Sequence, residues 1–444
     1  MKYIYIYICL TLISLSNFAQ ASDDFKISGF ATISAVKTNK QDIEFIQNNT
    51  LPSGADDHWS FDNDTVLGIQ GQYQISDKLS GVVQLLSRRN YKNNYEPSLD
   101  WAYISYKYNP NLRLRAGRFV SPVFLGSDTR NVNYSNVWVR PVIDLYSQAT
   151  INNIDGVDAI YSNFIGDGDV SYQIQAYAGK FDKLYFPGKS YIKFHHMAGL
   201  VGTVQYDSWT FRAGYMNAQH STISAEGDYV PGDMRMLVST DYQLGLSIDP
   251  QNDNCAVGAC SDVVPNADDV FSIIQRKRRP FNLTSLAVVY DNGSYFGQFE
   301  WAHRKADSAL SNGIAAYGMV GYRFDSLTPY VGYSYAKSLT ENFELDVDAD
   351  LKASLDSQVV GLGSEPLDTY VVRNSSSRSN TITAGLRWDF YKKMALKMQF
   401  DSFRPLNNDG LATGGSGFLN FTNETLSATG KNIIVSTVSL DIIF

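Results

Sequence analysis

Residues 381–401, Thr381-Ile-Thr-Ala-Gly-Leu-Arg-Trp-Asp-Phe-Tyr-Lys-Lys-Met-Ala-Leu-Lys-Met-Gln-Phe-Asp401, alternate in character side chain by side chain. Ile382, Ala384, Leu386, Trp388 and Phe390 fall on one face, with Thr381, Thr383, Gly385, Arg387 and Asp389 on the other. After Tyr391-Lys392-Lys393, Met394, Leu396, Met398 and Phe400 alternate with Ala395, Lys397, Gln399 and Asp401. Successive side chains of a strand point to opposite faces, so the stretch reads as a hairpin, apolar on one side and polar on the other. Strands of about ten residues with this period are the mark of a transmembrane barrel, whose outside meets lipid and whose inside meets water. Trp209-Thr-Phe-Arg-Ala-Gly-Tyr215 repeats the pattern, with Trp209, Phe211, Ala213 and Tyr215 opposite Arg212 and Gly214. A soluble sandwich would alternate too, but its apolar face would favour Val, Ile and Leu. Here aromatic residues crowd the strand ends, as girdles at two lipid interfaces require.

Composition points the same way. The 444 residues include 29 Tyr, 24 Phe and 6 Trp, while only 18% are charged. A formal charge of −8 argues against a general nucleic-acid binder. Beyond the N-terminus no uncharged apolar run reaches the roughly 18 residues that a spanning helix needs. At the N-terminus, Lys2, the apolar stretch Tyr3 to Leu15 and Ala19-Gln20-Ala21 describe a secretory signal over residues 1–21, cut before Ser22. Residues 22–444 then form one barrel domain, with a formal charge of −9 once Lys2 is removed. Two cysteines remain, in Cys255-Ala-Val-Gly-Ala-Cys260, and in an exported loop-like segment they are a candidate disulfide. A metal site would need further ligands, and no His lies near them; neither a metal nor a cofactor is expected.

Tight turns fall at residues 76–78, 109–110, 166–169, 207–208, 291–293, 325–326 and 391–393, built from Gly, Pro, Asp, Asn, Ser and Lys together with Tyr391. Gly supplies positive φ, Pro a fixed φ, and Asp and Asn local side-chain bonds. These turns join strands at 64–75 and 78–88, 98–108 and 111–119, 156–164 and 169–180, 195–207 and 208–218, 282–291 and 294–304, 314–324 and 327–337, and 379–390 and 393–403. A first strand near 25–36 and a last near 432–444 pair to close a ring of sixteen. The connection 219–281 is long enough to hold an extra hairpin at 234–239 and 242–248, so eighteen strands stay open. Short turns are periplasmic and long loops external in bacterial barrels, which places both chain ends in the periplasm.

With this rhythm the chain resembles the Gram-negative outer-membrane porins of the sixteen-stranded type. The resemblance rests on the signal peptide, the hairpin series, Leu112-Arg-Leu-Arg-Ala-Gly-Arg-Phe119 leading into a long third loop with Pro122, and the end Val438-Ser-Leu-Asp-Ile-Ile-Phe444. It covers the whole mature chain. It implies a water-filled lumen narrowed by an inward third loop, and a C-terminal Phe444 read by the barrel-assembly machinery. It also implies outer-membrane lipid and lipopolysaccharide as surroundings and a possible homotrimer. The loop 120–155 carries Phe124, Val132, Tyr134, Val137, Trp138, Val139, Val142, Ile143 and Leu145, too apolar for a solvated segment. A barrel of this size has room inside for such a loop.

Parity places Arg113, Arg115, Lys107, Arg212, Arg304, Arg323, Arg387 and Lys397 inside, with Asp158, Glu300, Asp389 and Asp401. The candidate constriction comprises Arg113, Arg115 and Arg118 opposed by Asp128 and Asp144, with the loop bases Arg130 and Arg140 nearby. Rings of charge set pore selectivity, and the basic inward set predicts a mild anion preference. The same charges would serve as wall pairs if they neutralise one another.

Enzymatic signals are thin. There is no Gly-x-Ser-x-Gly, and His195-His196 would face opposite sides of a strand. Pro187-Gly-Lys-Ser190 lacks the upstream Gly of a phosphate loop, with Lys183 at that position. Asp346-x-Asp348-x-Asp350 has Leu351 and Ser357 where a calcium loop needs Gly and Glu. Three classes stay open: a channel for passive diffusion of small hydrophilic solutes and ions, a solute-specific channel for a carbohydrate or phosphate-like anion, and an adhesion or structural barrel. Inward Trp101 and Tyr103 would favour a sugar.

Overall fold

The computed structural model describes residues 24–41, 43–47, 51, 53–149, 151–185, 190–224, 279–306, 312–339, 378–406, 419–421 and 432–444. The signal segment 1–21, the Cys255–Cys260 candidate disulfide and the extra hairpin at 234–248 lie outside them.

In chain order the strands are β1 (Phe25–Thr38), β2 (Ile43–Phe45), β3 (Val66–Ser76), β4 (Leu79–Arg88), β5 (Ser98–Lys107), β6 (Leu112–Val120), β7 (Asn153–Ile165), β8 (Val170–Tyr185) and β9 (Ser190–Tyr206). They continue as β10 (Trp209–Ser224), β11 (Arg279–Asp291), β12 (Tyr295–Ala306), β13 (Asn312–Tyr322), β14 (Leu327–Leu339), β15 (Arg378–Tyr391), β16 (Met394–Leu406), β17 (Leu419–Phe421) and β18 (Ile433–Ile443). Sixteen of them close into one antiparallel barrel, each paired with its sequence neighbours, and β18 pairs with β1. The short β2 and β17 form a separate two-stranded sheet. Because β10 pairs directly with β11, the ring is complete at sixteen.

Turn chemistry fixes the hairpins. Asp207, Asp325 and Lys393 take positive φ of 49°, 48° and 65°, and Gly293 takes 89°, the left-handed conformations that two- to four-residue turns demand. In the β15–β16 hairpin, Leu386 stands opposite Met398 and Arg387 opposite Lys397. A slip of one residue would carry every apolar side chain into the lumen, so the lipid-facing pattern specifies the register.

Closure is sealed at the last residue. The Gly29 amide donates to the Phe444 carbonyl and the Phe444 amide to the Gly29 carbonyl, both at 2.9 Å. The Phe444 ring lies where a side chain on Gly29 would sit, so only glycine admits it. On the outer face, aromatic pairs ring the short-turn end: Trp209 with Tyr290 at 4.8 Å, Tyr295 with Tyr322 at 4.6 Å and Trp388 with Phe390 at 5.5 Å. Above this girdle Val83, Leu114, Val157, Leu200, Leu286, Val331 and Ile382 are exposed, a surface that only lipid makes favourable.

Candidate functional site

The lumen holds the third loop, residues 121–152. A 3-10 turn at Asn133–Ser135 and the one-turn helix α1 (Ile143–Tyr146) are its only regular pieces among the described residues. The loop lies inside because it bonds to inward side chains all round the wall. On one side Arg212 donates to the Pro122 carbonyl at 2.7 Å and Ser285 to the Val123 carbonyl at 2.7 Å. The Leu125 amide donates to Glu300 at 2.7 Å. On the far side Arg387 donates to the carbonyls of Tyr134 and Asn136 at 2.7 and 2.8 Å.

Three stations clamp it by charge. Lys397, fully buried, donates to the carbonyls of Asn133, Asn136 and Trp138 at 2.6, 2.8 and 3.0 Å and stands 2.8 Å from Asp441. Arg140 pairs with Asp64 at 2.7 Å and Asp401 at 3.1 Å, and also reaches the Thr437 hydroxyl. Asp144 accepts from Ser334, Ser379 and Thr381 at 2.6, 2.8 and 2.8 Å. Each is nearly sealed from solvent: Lys397 is 0%, Arg140 3% and Asp144 2% exposed. A buried charge persists only when its partners replace water, and these sets do so. Burial opposes the Arg140 charge, yet the Asp64 and Asp401 carboxylates hold its guanidinium above its ordinary range. Apolar packing adds to the clamp. Phe124 and Tyr146 pack with tilted rings whose centres are 4.8 Å apart, Trp138 meets Tyr317 edge-on, and Ile143 joins Val36, Phe403, Ile433 and Val435.

The residues expected at a constriction therefore occupy different surroundings. Arg140 and Asp144 bind the wall and are withdrawn from water. Arg130 donates to Asn152 and, at 3.2 Å, to the Tyr146 carbonyl; burial, reinforced by Arg88, lowers its pKa to about 10, so it stays cationic at neutral pH. Arg115 points inward and donates to Asp158 at 3.0 Å from Nε, between the rings of Tyr103 and Phe119 at 5.2 and 5.1 Å. Arg113 lies on the same face, exposed, opposite Lys107. Arg118 falls on the opposite face, opposite Ala102 and Asp155, and pairs with Asp155 at 2.6 Å. The strained Gly117 (φ 128°) sits between the two sets. Asp128 is exposed on the loop and close enough to act electrostatically on Arg115 and Arg212.

The sequence alone does not announce several of the anchors. Asp64 and the Ser334–Ser379–Thr381 hydroxyl set look like ordinary inward polar residues until the loop is in place. A short run of inward Ser and Thr on adjacent strands is the one hint the sequence offers.

No family model and no curated protein matches the sequence. Solved structures do resemble the fold. OmpF of Salmonella typhi, in complex with daunomycin, aligns over 95% of this chain and 97% of its own at 14% identity, with a TM-score of 0.52. The Vibrio cholerae outer-membrane protein OmpT aligns over 96% of this chain and 100% of its own at 9% identity, with a TM-score of 0.48. An anion-selective porin from Comamonas acidovorans aligns over 95% of this chain and 99% of its own at 11% identity, with a TM-score of 0.44. At such identities the likeness is one of fold. Barrel closure at sixteen strands agrees with the OmpF likeness, and with its outer apolar band and aromatic girdle the chain has the fold of a multi-pass outer-membrane β-barrel.

Proposed function

We propose that the barrel is a non-enzymatic channel for passive diffusion of small hydrophilic solutes and ions, with a mild preference for anions. The distribution of inward charge carries this reading. Asp158, Asp401, Asp441 and Asp389 are each tied to a base, and Glu300 is sealed beneath the loop. Lys107 and Arg113 are cross-strand neighbours on the inward face, both exposed, with no ion-pair partner among the described residues. Like charges held directly opposite cost energy unless something else requires them, and a passing anion is such a requirement. The narrow region is assigned to Arg113, Arg115, Asp128 and Arg130, with Arg140 and Asp144 holding the loop that forms it. A channel specific for a phosphate-like anion would use the same Lys107–Arg113 pair. A homotrimer in the outer membrane, folded by the barrel-assembly machinery, is the expected assembly. Proteoliposomes containing the refolded protein should swell in small neutral sugars and progressively less as sugar size increases. Liposomes that fail to swell in any sugar would contradict a diffusion channel.

A further inference from the structure

The third loop leaves one side of the lumen uncovered. Where it packs, the inward residues Ser285, Glu300, Tyr317, Thr381 and Gln399 of β11 to β16 are buried, as is Thr32 on β1. On β5 to β9, nearer the short turns, the inward Lys107, Arg113, Ser162, Gln173 and Gln205 are exposed. The water of the lumen therefore lies against this second wall.

Four of these residues form one group across four adjacent strands. Lys107 on β5 stands opposite Arg113 on β6, and Arg113 stands opposite Ile160 on β7. Ser162, two residues along β7 on the same face, stands opposite Gln173 on β8. Neighbouring strands lie about 4.8 Å apart, and diagonal neighbours such as Arg113 and Ser162 about 7–8 Å. The Gln173 amide donates to the Ser162 hydroxyl at 3.2 Å, and among the described residues no protein group takes the Ser162 proton or bonds to the Gln173 carbonyl. The neighbouring inward carboxylate, Asp158, is held by Arg115 and accepts from Gln175 at 2.7 Å, so it does not neutralise Arg113. Half-buried Ile160 lies beside both the bases and the hydroxyl.

Three chemistries thus stand within the span of one sugar ring: a paired positive charge, an apolar floor, and a hydroxyl with an amide. A bare anion would use only the first, and a neutral sugar only the other two. We propose that Lys107, Arg113, Ile160, Ser162 and Gln173 form a binding site for a sugar acid, a hydroxylated ring bearing a carboxylate or a phosphate. The anionic group bridges Lys107 and Arg113 through charge-assisted hydrogen bonds. The C–H face of the ring rests on Ile160, and ring hydroxyls exchange hydrogen bonds with Ser162 and Gln173. The site rests on the channel reading, since a solute reaches it only through an open lumen.

The test measures binding without transport, by isothermal titration calorimetry on the refolded barrel in detergent micelles at physiological salt. Glucuronate and glucose 6-phosphate should bind about tenfold more tightly than glucose, and about tenfold more tightly than acetate and inorganic phosphate respectively. The pair Ser162→Ala with Gln173→Ala should lower the affinity for both sugar acids about tenfold, the loss of two hydrogen bonds, and leave that for acetate and inorganic phosphate as in the wild type. Lys107→Ala with Arg113→Ala should abolish binding of all four anions. If the first pair loses the heat-modifiable folded band, Gln173→Glu keeps the side-chain size and should repel both sugar acids while sparing glucose. Sugar acids that bind no more tightly than glucose, no more tightly than their bare anions, or equally to wild type and the Ser162–Gln173 variants would each overturn the proposal. A barrel that binds sugar acids as expected yet leaves liposomes unswollen would refute the diffusion reading and keep the site.

Discussion

At the scale of single residues, the structure separates charges that hold the fold from charges that face the lumen. Arg140 is of the first kind: two acids and a hydroxyl surround its guanidinium, and it is 3% exposed. Arg140→Met would leave Asp64 and Asp401 buried without a cation, which costs about 3–5 kcal/mol. The expected result is a lower urea midpoint for conversion of the heat-modifiable folded band, and an unchanged midpoint would show that the acids find other partners. Phe444 acts differently. Its two backbone bonds to Gly29 and the ring over that glycine complete the seam between β1 and β18. Deleting it should reduce the amount of folded barrel recovered from the outer membrane, while unaltered recovery would argue that the seam closes without it.

At the scale of elements, the third loop is the decisive part. It is held by Lys397, Arg140 and Asp144 at separated points on the wall rather than by a single tether. Asp144→Ala removes the acceptor for three hydroxyls at once and frees α1 on one side. The barrel should still form, because none of its strand pairs is touched, but single-channel records should become noisier as the loop moves. Quiet, wild-type-like records would mean that the remaining stations suffice. Much of the element scale was legible in advance. Strand ranges such as 327–337 and 393–403 closely match the observed Leu327–Leu339 and Met394–Leu406, because apolar alternation and turn residues both act locally. The apolar content of the third loop also announced its inward path. What alternation could not supply was pairing between distant segments. The partner of Arg140 is Asp64, separated by 76 positions, and nothing in either local sequence marks them as a pair. Arg118 was legible by the same alternation: the count that carries Arg113 and Arg115 inward sets Arg118 on the other face with Leu114 and Ala116, where it pairs with Asp155, so it stands outside the constriction group.

At the scale of the whole molecule, an acidic chain encloses a lumen in which Lys107 and Arg113, beside the short turn joining β5 to β6, face water with no ion-pair partner among the described residues. Screening extends about 8 Å at physiological salt, so charge on the inner wall acts on passing ions more than charge on wide outer loops. Arg115, neutralised by Asp158, contributes less than its place in the sequence suggests. The most direct measurement is the reversal potential of the refolded protein in a planar bilayer under a salt gradient. Discrete conductance steps are expected, with a reversal potential displaced modestly towards anions and a return towards cation preference when Lys107 and Arg113 are both replaced by Ala. Clear cation preference in the unaltered protein, unmoved by those substitutions, would contradict the assignment of the channel's selectivity to this basic pair.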